Sequence, residues 1–474
     1  MFTNLIYKTK YLIKFIIFLF RFKLNRIHSK DYPLEKLRFI KDPIRKKNHL
    51  IKFSNVYPKN PFIDFALYEN SLELGEKNPE QYLDSYHNKY TEWLKASGLD
   101  NLNIEFVNEK NVVGALGNYQ ALYQMIEANI YKLRPQKKIF LLLQGKPRNE
   151  ALFEYFKKYL NIITEKNEIP KLLPLQEKLD VHLGAALNFN DRTLQSENAW
   201  NLIECFKSNN KIKNSIFTIM DKHKEFGKKK LEEIGIPRNA WYVTLHAREF
   251  GYRGENKKNS TQNFRTVDIQ NYLPAIKSII SEGGFVFRMG HSNSIKLPKI
   301  NGLIDYANSN FKSDIMDVFL GATSSFCIGT SSGYHIIPKM FNVPILYADC
   351  PSYHDYFYLN ENDLLLPRLF KSERDESFIK FKDLFISPYK NFYLDEHFKR
   401  NKIKAIHNTS EELKEATAEM ILRKKNGFKI NFFDENQTRF KELIKKITSK
   451  NEKNSSVPMA NISQKFLNKN INLL

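Results

Sequence analysis

The chain has 474 residues, with 74 Lys+Arg against 52 Asp+Glu and a formal net charge of +22. Its 42% hydrophobic and 27% charged residues are ordinary globular composition, which excludes wholesale disorder; at roughly 100–200 residues per domain the length predicts two or three domains. The three cysteines, Cys205, Cys327 and Cys350, lack CxxC or CxxH spacing, which excludes a disulfide framework and a structural zinc site; no run of about 18 apolar residues marks a conventional spanning helix.

The charge sits at the two ends. Residues 1–50 hold 13 Lys/Arg and 3 Asp/Glu, net +10; residues 421–474 hold 12 and 4, net +8; the body keeps only +4. So small an excess does not spread phosphate-contacting Lys/Arg over a folded surface, and no nucleic-acid partner is expected. Residues 5–24, LIYKTKYLIKFIIFLFRFKL, place Lys10, Lys14 and Arg21 on one stripe of an otherwise apolar helix. Lys23, Arg26 and Lys30 follow, and the pattern predicts a basic amphipathic helix lying on an anionic membrane surface through residues 1–30. A secretory signal fits less well, because the apolar run 15–20 is short and no small-residue cleavage site follows. The expected location is cytoplasmic, peripheral on the inner face of the plasma membrane.

Along the body, 111–113 reads as a strand, Gly114-x-x-Gly117-Asn118 as a tight loop and 119–132 as a helix with Leu122, Ile126 and Ile130 on one face. Residues 138–144 predict a buried strand. The stretch from 150 to 230 reads as largely helical, with loops at Pro170, Pro174 and Asp191. A domain boundary is expected near residue 236, before a strong strand at 241–246. The second half alternates: helix 267–282, strand 285–288, strand 303–305, helix 314–322, strand 325–328, loop 329–333, helix 334–341, strand 343–347. A helix from Ser410 to Arg423 starts on a Thr409 or Ser410 cap, and 451–463 reads as a solvated tail. Such alternation implies parallel sheets with crossover helices, hence an α/β chain of two such halves with a cleft between them. The expected division is 1–50, 51–235, 236–425 and 426–474.

Four features of the second half carry candidate chemistry. His246-Ala-Arg248 and Arg288-Met-Gly290-His291 each end a strand, at the carboxyl edge where open α/β sheets bind ligands. Gly329-Thr330-Ser331-Ser332-Gly333 joins a strand to a helix start, a place suited to a phosphate. Asp314 and Asp317 open the helix before that strand. Bidentate arginine with a Gly/Ser loop suits a diphosphate.

These residues carry a resemblance. YVTLHAREFGYRG, the 264–276 stretch, GGFVFRMG, LIDYA and SDIMDVFLGATSSFCIGTSSG resemble a family of glycosyltransferases from bacterial surface-polysaccharide loci. They are more distantly similar to the C-terminal domain of GT-B-fold fucosyltransferases. The resemblance is specific across 240–350 and thinner across 110–235. It implies a GT-B-like fold of two Rossmann-like domains and transfer of a sugar from a nucleoside-diphosphate sugar to a glycan or lipid-linked glycan, as in O-antigen synthesis. Carried over, Arg248 would hold the β-phosphate and His246 would shape the strand end. Ser331, Ser332 and Gly333 would contact phosphate or ribose, with Arg288, Gly290, Asp317, Gly329 and Thr330 completing the donor site. Gly114, Gly117 and Asn118 would form an acceptor-side loop. The fucosyltransferases' second arginine is replaced by Glu249, which leaves the donor open. No Asp-x-Asp occurs in the chain, so transfer without a metal or other cofactor is expected. For a base, Glu249, His182, His291 and Glu255 are available and none is singled out by spacing. A GT-B-fold epimerase and a non-catalytic scaffold of a polysaccharide assembly complex are the alternatives.

Overall fold

The computed structural model describes residues 37, 40–76, 78–180, 186–251, 254, 256–258, 260–292, 294–386, 388–428, 434–448 and 459–474. The expected membrane-surface helix and the base candidates His182 and Glu255 lie outside the described residues. No described helix is long and apolar enough to cross a membrane.

Three helices, α1 (Pro43–Val56), α2 (Pro61–Leu74) and α3 (Gln81–Ala96), precede the first sheet. The first two start alike, on an acceptor side chain and a proline: Asp42 takes the backbone N–H of Ile44 and Arg45, and Asn60 that of Phe62. The first sheet is parallel, β1 (Ile104–Val107), β2 (Lys138–Leu142) and β3 (Leu160–Ile163), in that order. The strand expected at 111–113 is a helical turn instead, and the strand lies earlier. Asn108 accepts from the Lys110 N–H, and the Gly114 N–H donates to the Lys110 carbonyl, which curls a segment whose valines alone read as extended. Between β1 and β2 runs α4 (Tyr119–Ile130), and between β2 and β3 runs α5 (Glu150–Lys157).

The stretch expected to be largely helical also holds β3 and a hairpin, β4 (Ala186–Asn188) with β5 (Thr193–Gln195), turning at Asp191. Pro170 and Pro174, expected in loops, both lie in the helix α6 (Ile169–Leu179). Pro170 falls in the first turn, where the missing N–H has no intrahelical partner to lose. Then come α7 (Ser196–Asn209) and α8 (Asp221–Glu233).

The second sheet has seven parallel strands. They are β6 (Tyr242–His246), β7 (Phe285–Met289), β8 (Leu303–Ile304), β9 (Phe326–Gly329), β10 (Ile345–Cys350), β11 (Leu364–Pro367) and, last in the chain, Asn461–Ile462. A separate antiparallel pair, β12 (Leu369–Ser372) and β13 (Ile403–Ile406), stands beside it, so the last strand is β14. The spatial order is β14-β11-β10-β9-β6-β7-β8. Every residue of β9 and β10 is buried, as expected of parallel strands covered on both faces. The chain lays β6 in the middle, builds outward through β7 and β8, then returns to add β9, β10 and β11 on the other side. That reversal falls between β6 and β9. In a doubly wound sheet the reversal opens a crevice at the carboxyl ends, where ligands bind.

The tail expected at 451–463 is in its described part a piece of this sheet. Ile462 is fully buried, and the Gln437 amide bonds both its carbonyl (2.6 Å) and its N–H (3.3 Å), standing in for a further strand at the edge. Helices Glu435–Thr448 and Gln464–Lys469 bury Phe440, Ile444, Phe466 and Leu467 against the same body.

The two halves share one apolar core. Tyr155 and Phe217 of the first half meet the Phe341 ring of the second at 5.1 and 5.9 Å between centroids. Although it precedes the boundary expected near 236, α8 packs against α9 (Asp314–Thr323) of the second half. A Cβ built on Gly227 would lie 2.1 Å from Phe319 Cγ, so this helix crossing needs the glycine. Gly227→Ala should therefore destabilise the protein by about 1–3 kcal/mol, overpacking outweighing a helix-propensity gain of about 1 kcal/mol. A denaturant melt reads the sign, and a stabilised variant would show that the crossing has slack.

Candidate functional site

At the sheet reversal the strands end in register. His246 pairs with Gly329 on one side and Met289 on the other, so Ala247, Thr330 and Gly290 leave the sheet together, with Arg248 one residue further on. The Thr330 N–H donates to the His246 carbonyl (3.2 Å), and Thr330 Oγ1 accepts from the Arg248 N–H (2.9 Å). Ser332 Oγ and His246 Nδ1 share a hydrogen bond of 2.9 Å, and the imidazole stacks on Tyr334 at 5.5 Å. Burial, with the Arg288 charge second, pushes the His246 imidazole down to about 3, so it is neutral at pH 7. His246 shapes the crevice and brings no charge to it.

Thr330 is fully buried and Ser331 and Ser332 nearly so. Ser331 Oγ donates to Asp355 Oδ2 (3.3 Å), which also accepts from Tyr347 (2.8 Å). The hydroxyls expected to face a phosphate are thus engaged by protein partners. The helix after the loop, Ile336–Met340, has five residues, shorter than the expected 334–341 and too short for a strong dipole. At Gly329 an added Cβ would meet His335 Cβ at 3.1 Å, and at Gly290 it would meet Ser294 Oγ at 2.8 Å; both glycines close their turns.

Arg288 is fully buried and bridges two carboxylates, Glu249 Oε2 and Asp305 Oδ1 (2.9 Å to the latter). Glu249, itself buried, is held above the usual carboxylate range by desolvation, which the Arg288 charge opposes. The two side chains are joined to each other beside the crevice. His291 is a partly buried turn residue pushed below the usual imidazole range by burial. Asp317 pairs with Lys312 (3.0 Å). Asp314 Oδ2 reaches across to accept from the Glu150 N–H at the start of α5 (2.8 Å), and Asn149 Nδ2 reaches the Asp314 carbonyl (3.4 Å). It is a tie between the halves.

The first-half loop meets the crevice directly. Gly117 and Gly333 touch backbone to backbone: a Cβ on Gly333 would lie 2.6 Å from the Gly117 nitrogen. Gly114 is required locally, since its Cβ would fall 2.5 Å from both the Lys110 carbonyl oxygen and Asn118 Nδ2, which bond each other at 3.0 Å. Behind the loop lies a small space of about 10 Å³, room for about one water molecule. Gln120 and Trp200 line it from the first half and His335, Lys339, Tyr347 and Asp355 from the second. Two residues of this neighbourhood escape sequence reasoning. Asp355 sits in a short turn far from any strand end, and Arg265 in another, and only the fold brings them to Ser331. Among the described residues no three His, Cys, Asp or Glu side chains form a metal-holding group.

No family model matches the chain, and no curated protein matches it. Among solved structures, a glycosyl transferase family 9 protein from Veillonella parvula is similar at 10% identity and TM-score 0.42, covering 68% of this chain and 97% of its own. The ADP-heptose lps heptosyltransferase II of E. coli is similar at 12% identity and TM-score 0.37, covering 68% and 99%. The dodecameric iron-containing glycosyltransferase TibC of enterotoxigenic E. coli is similar at 12% identity and TM-score 0.35, covering 69% and 77%.

Proposed function

We propose that the protein is a glycosyltransferase that moves a sugar from a nucleoside-diphosphate sugar to a glycan or lipid-linked glycan of a bacterial surface polysaccharide. One observation carries this reading: the reversal point of a doubly wound seven-stranded sheet gathers Arg248, His246 and the 329–333 loop, and the other half of the chain closes on that same loop through Gly117. A donor bound there lies between two walls, one for the diphosphate and one for the acceptor. In the transfer, an acceptor hydroxyl oxygen bonds to the anomeric carbon and the bond from that carbon to the phosphate oxygen breaks. The electron pair leaves with the nucleoside diphosphate, and the hydroxyl proton passes to a base or to water. Arg248 stabilises the charge growing on the departing diphosphate. Glu249 enters through Arg288, holding the strand end that presents Arg248. Attachment to an anionic membrane through residues 1–30, at the inner face of the plasma membrane, would bring a lipid-linked acceptor to the crevice.

The scaffold reading also has an observation in its favour. The loop hydroxyls have protein partners, and the space behind the loop, about 10 Å³, has room for about one water molecule. Calorimetric titration of the full-length chain with GDP, UDP, ADP and CMP separates the two. Micromolar binding of one nucleotide, weakened on the order of 100-fold or more by Arg248→Ala, is the expected result. A folded protein that binds none is a scaffold.

A further inference from the structure

The segment that leaves β6 returns to the crevice at a short turn, Asn263–Arg265, and that turn is clamped from several sides. The Asp395 carboxylate accepts the backbone N–H of Asn263 and of Phe264, each at 2.9 Å. Arg368, buried and paired with Asp349, donates to the carbonyls of Phe264 and Thr266. The Val267 N–H bonds the Arg248 carbonyl at 3.0 Å, so the turn is tied to the strand end that carries Arg248. Such bracing fixes the backbone on both sides of Arg265.

The Arg265 side chain is equally placed. Its Nε donates to the Ser331 carbonyl (2.9 Å) and its Nη1 to Gln262 Oε1 (2.7 Å). Both acceptors are neutral. Arg288 is matched by Glu249 and Asp305, and Arg368 by Asp349, whereas among the described residues Arg265 forms no ion pair. Its field reaches its neighbours: burial and, after it, the Arg265 charge push the His335 imidazole down to about 3, and the same charge opposes the rise that burial gives the Asp355 carboxyl on the far side of Ser331. A guanidinium hydrogen-bonded only to neutral groups, with its carboxylate neighbour Asp355 out of ion-pair contact, keeps most of its charge for an anion, and its planar fork retains donors beyond the two in use.

We propose that Arg265 is a second phosphate-binding cation of the crevice, fastened to the same 329–333 loop as the Arg248 backbone, so that a diphosphate there meets both arginines. This rests on the reading of the crevice as a nucleotide site. It also supplies the positive charge that Arg288, neutralised by its two carboxylates, does not. Replacing Arg265 by glutamine removes the charge while leaving an amide able to bond the Ser331 carbonyl; lysine restores the charge.

The test titrates the full-length wild type, Arg265→Gln, Arg265→Lys and Arg248→Ala with the nucleoside, its diphosphate and inorganic pyrophosphate, after thermal melts confirm folding. Diphosphate and pyrophosphate affinity should fall on the order of 10–100-fold in Arg265→Gln and return largely in Arg265→Lys, with the nucleoside little changed. Wild-type-like pyrophosphate and diphosphate binding by Arg265→Gln, with Arg248→Ala impaired, overturns the proposal and leaves the nucleotide reading standing. Equal loss of nucleoside and diphosphate, without rescue by lysine, overturns it in favour of a loop brace. A wild type that binds neither pyrophosphate nor any nucleotide removes both.

Discussion

Arg288→Met is expected to cost about 3–5 kcal/mol of stability at pH 7.5, the usual penalty for stripping the partner from a buried ion pair. The guanidinium is fully buried and sits between Glu249 and Asp305, so methionine would fill its volume but leave two carboxylates facing each other beside the sheet. The pH dependence follows from Glu249. Burial already raises its carboxyl, and the Arg288 charge is the main force pulling it back, so the variant's carboxyl rises further. A group whose folded pKa lies above its unfolded value contributes stability below the unfolded pKa and loses it as pH rises through the folded one. The variant's deficit should therefore shrink between pH 7.5 and about 5, and adding Glu249→Gln should recover part of it at the higher pH. Denaturant melts at both pH values measure this. A deficit below about 1 kcal/mol, or one independent of pH, would mean that water or other donors satisfy the carboxylates in place of Arg288. The same variant bears on the binding role expected of Arg288. A direct phosphate ligand would lose nucleotide affinity at unchanged stability, and a brace would do the reverse.

Five of the second sheet's seven strands are legible in the sequence because they are short, mostly apolar runs between helical segments; β6 and β7 are β-branched or aromatic at most positions, and glycine closes β7 and β9 at their carboxyl ends. The sequence also marked His246, Arg248 and the 329–333 loop, because strand ends in an alternating pattern are where ligands belong. It could not show what those side chains bond. That Ser332 serves His246 and Ser331 serves Asp355 depends on partners 86 and 24 residues away. At Arg288 the strand-end position is legible in the sequence and its burial between two acids is not. The first half is less legible for a local reason. Its side-chain-closed turns, such as Asn108 to Lys110, override hydrophobic runs, and β3 to β5 are three or four residues long. β14, two residues joined to the sheet edge under Gln437, has no periodicity to detect.

Gly333→Ala is expected to do disproportionate damage for so small a change, and its asymmetry with Gly117→Ala is the sharper prediction. Neither glycine has a left-handed φ, so an alanine is conformationally acceptable at both and only space decides. At Gly333 the new Cβ would sit 2.6 Å from the Gly117 nitrogen and 3.6 Å from the Leu116 carbonyl carbon, backbone that cannot rotate away. At Gly117 the nearest atom would be Gly333 Cα at 3.2 Å, a gap that a few tenths of an ångström relieve. The alanine at 333 should cost about 1–3 kcal/mol, and the one at 117 less than about 1 kcal/mol. The functional consequence is larger than the stability change. The contact joins the two halves at the loop beside Arg248, so the displacement moves one wall of the crevice relative to the other. Misplacement of reacting groups by about 1 Å can lower a rate by about 100-fold. Gly333→Ala should therefore lose transfer far more than nucleotide binding, because the proposed donor site draws on the second half alone. Equal behaviour of the two alanine variants in melts and in turnover would mean that the halves slide freely over each other at this point, and that closure is set elsewhere, by Asp314 on the start of α5.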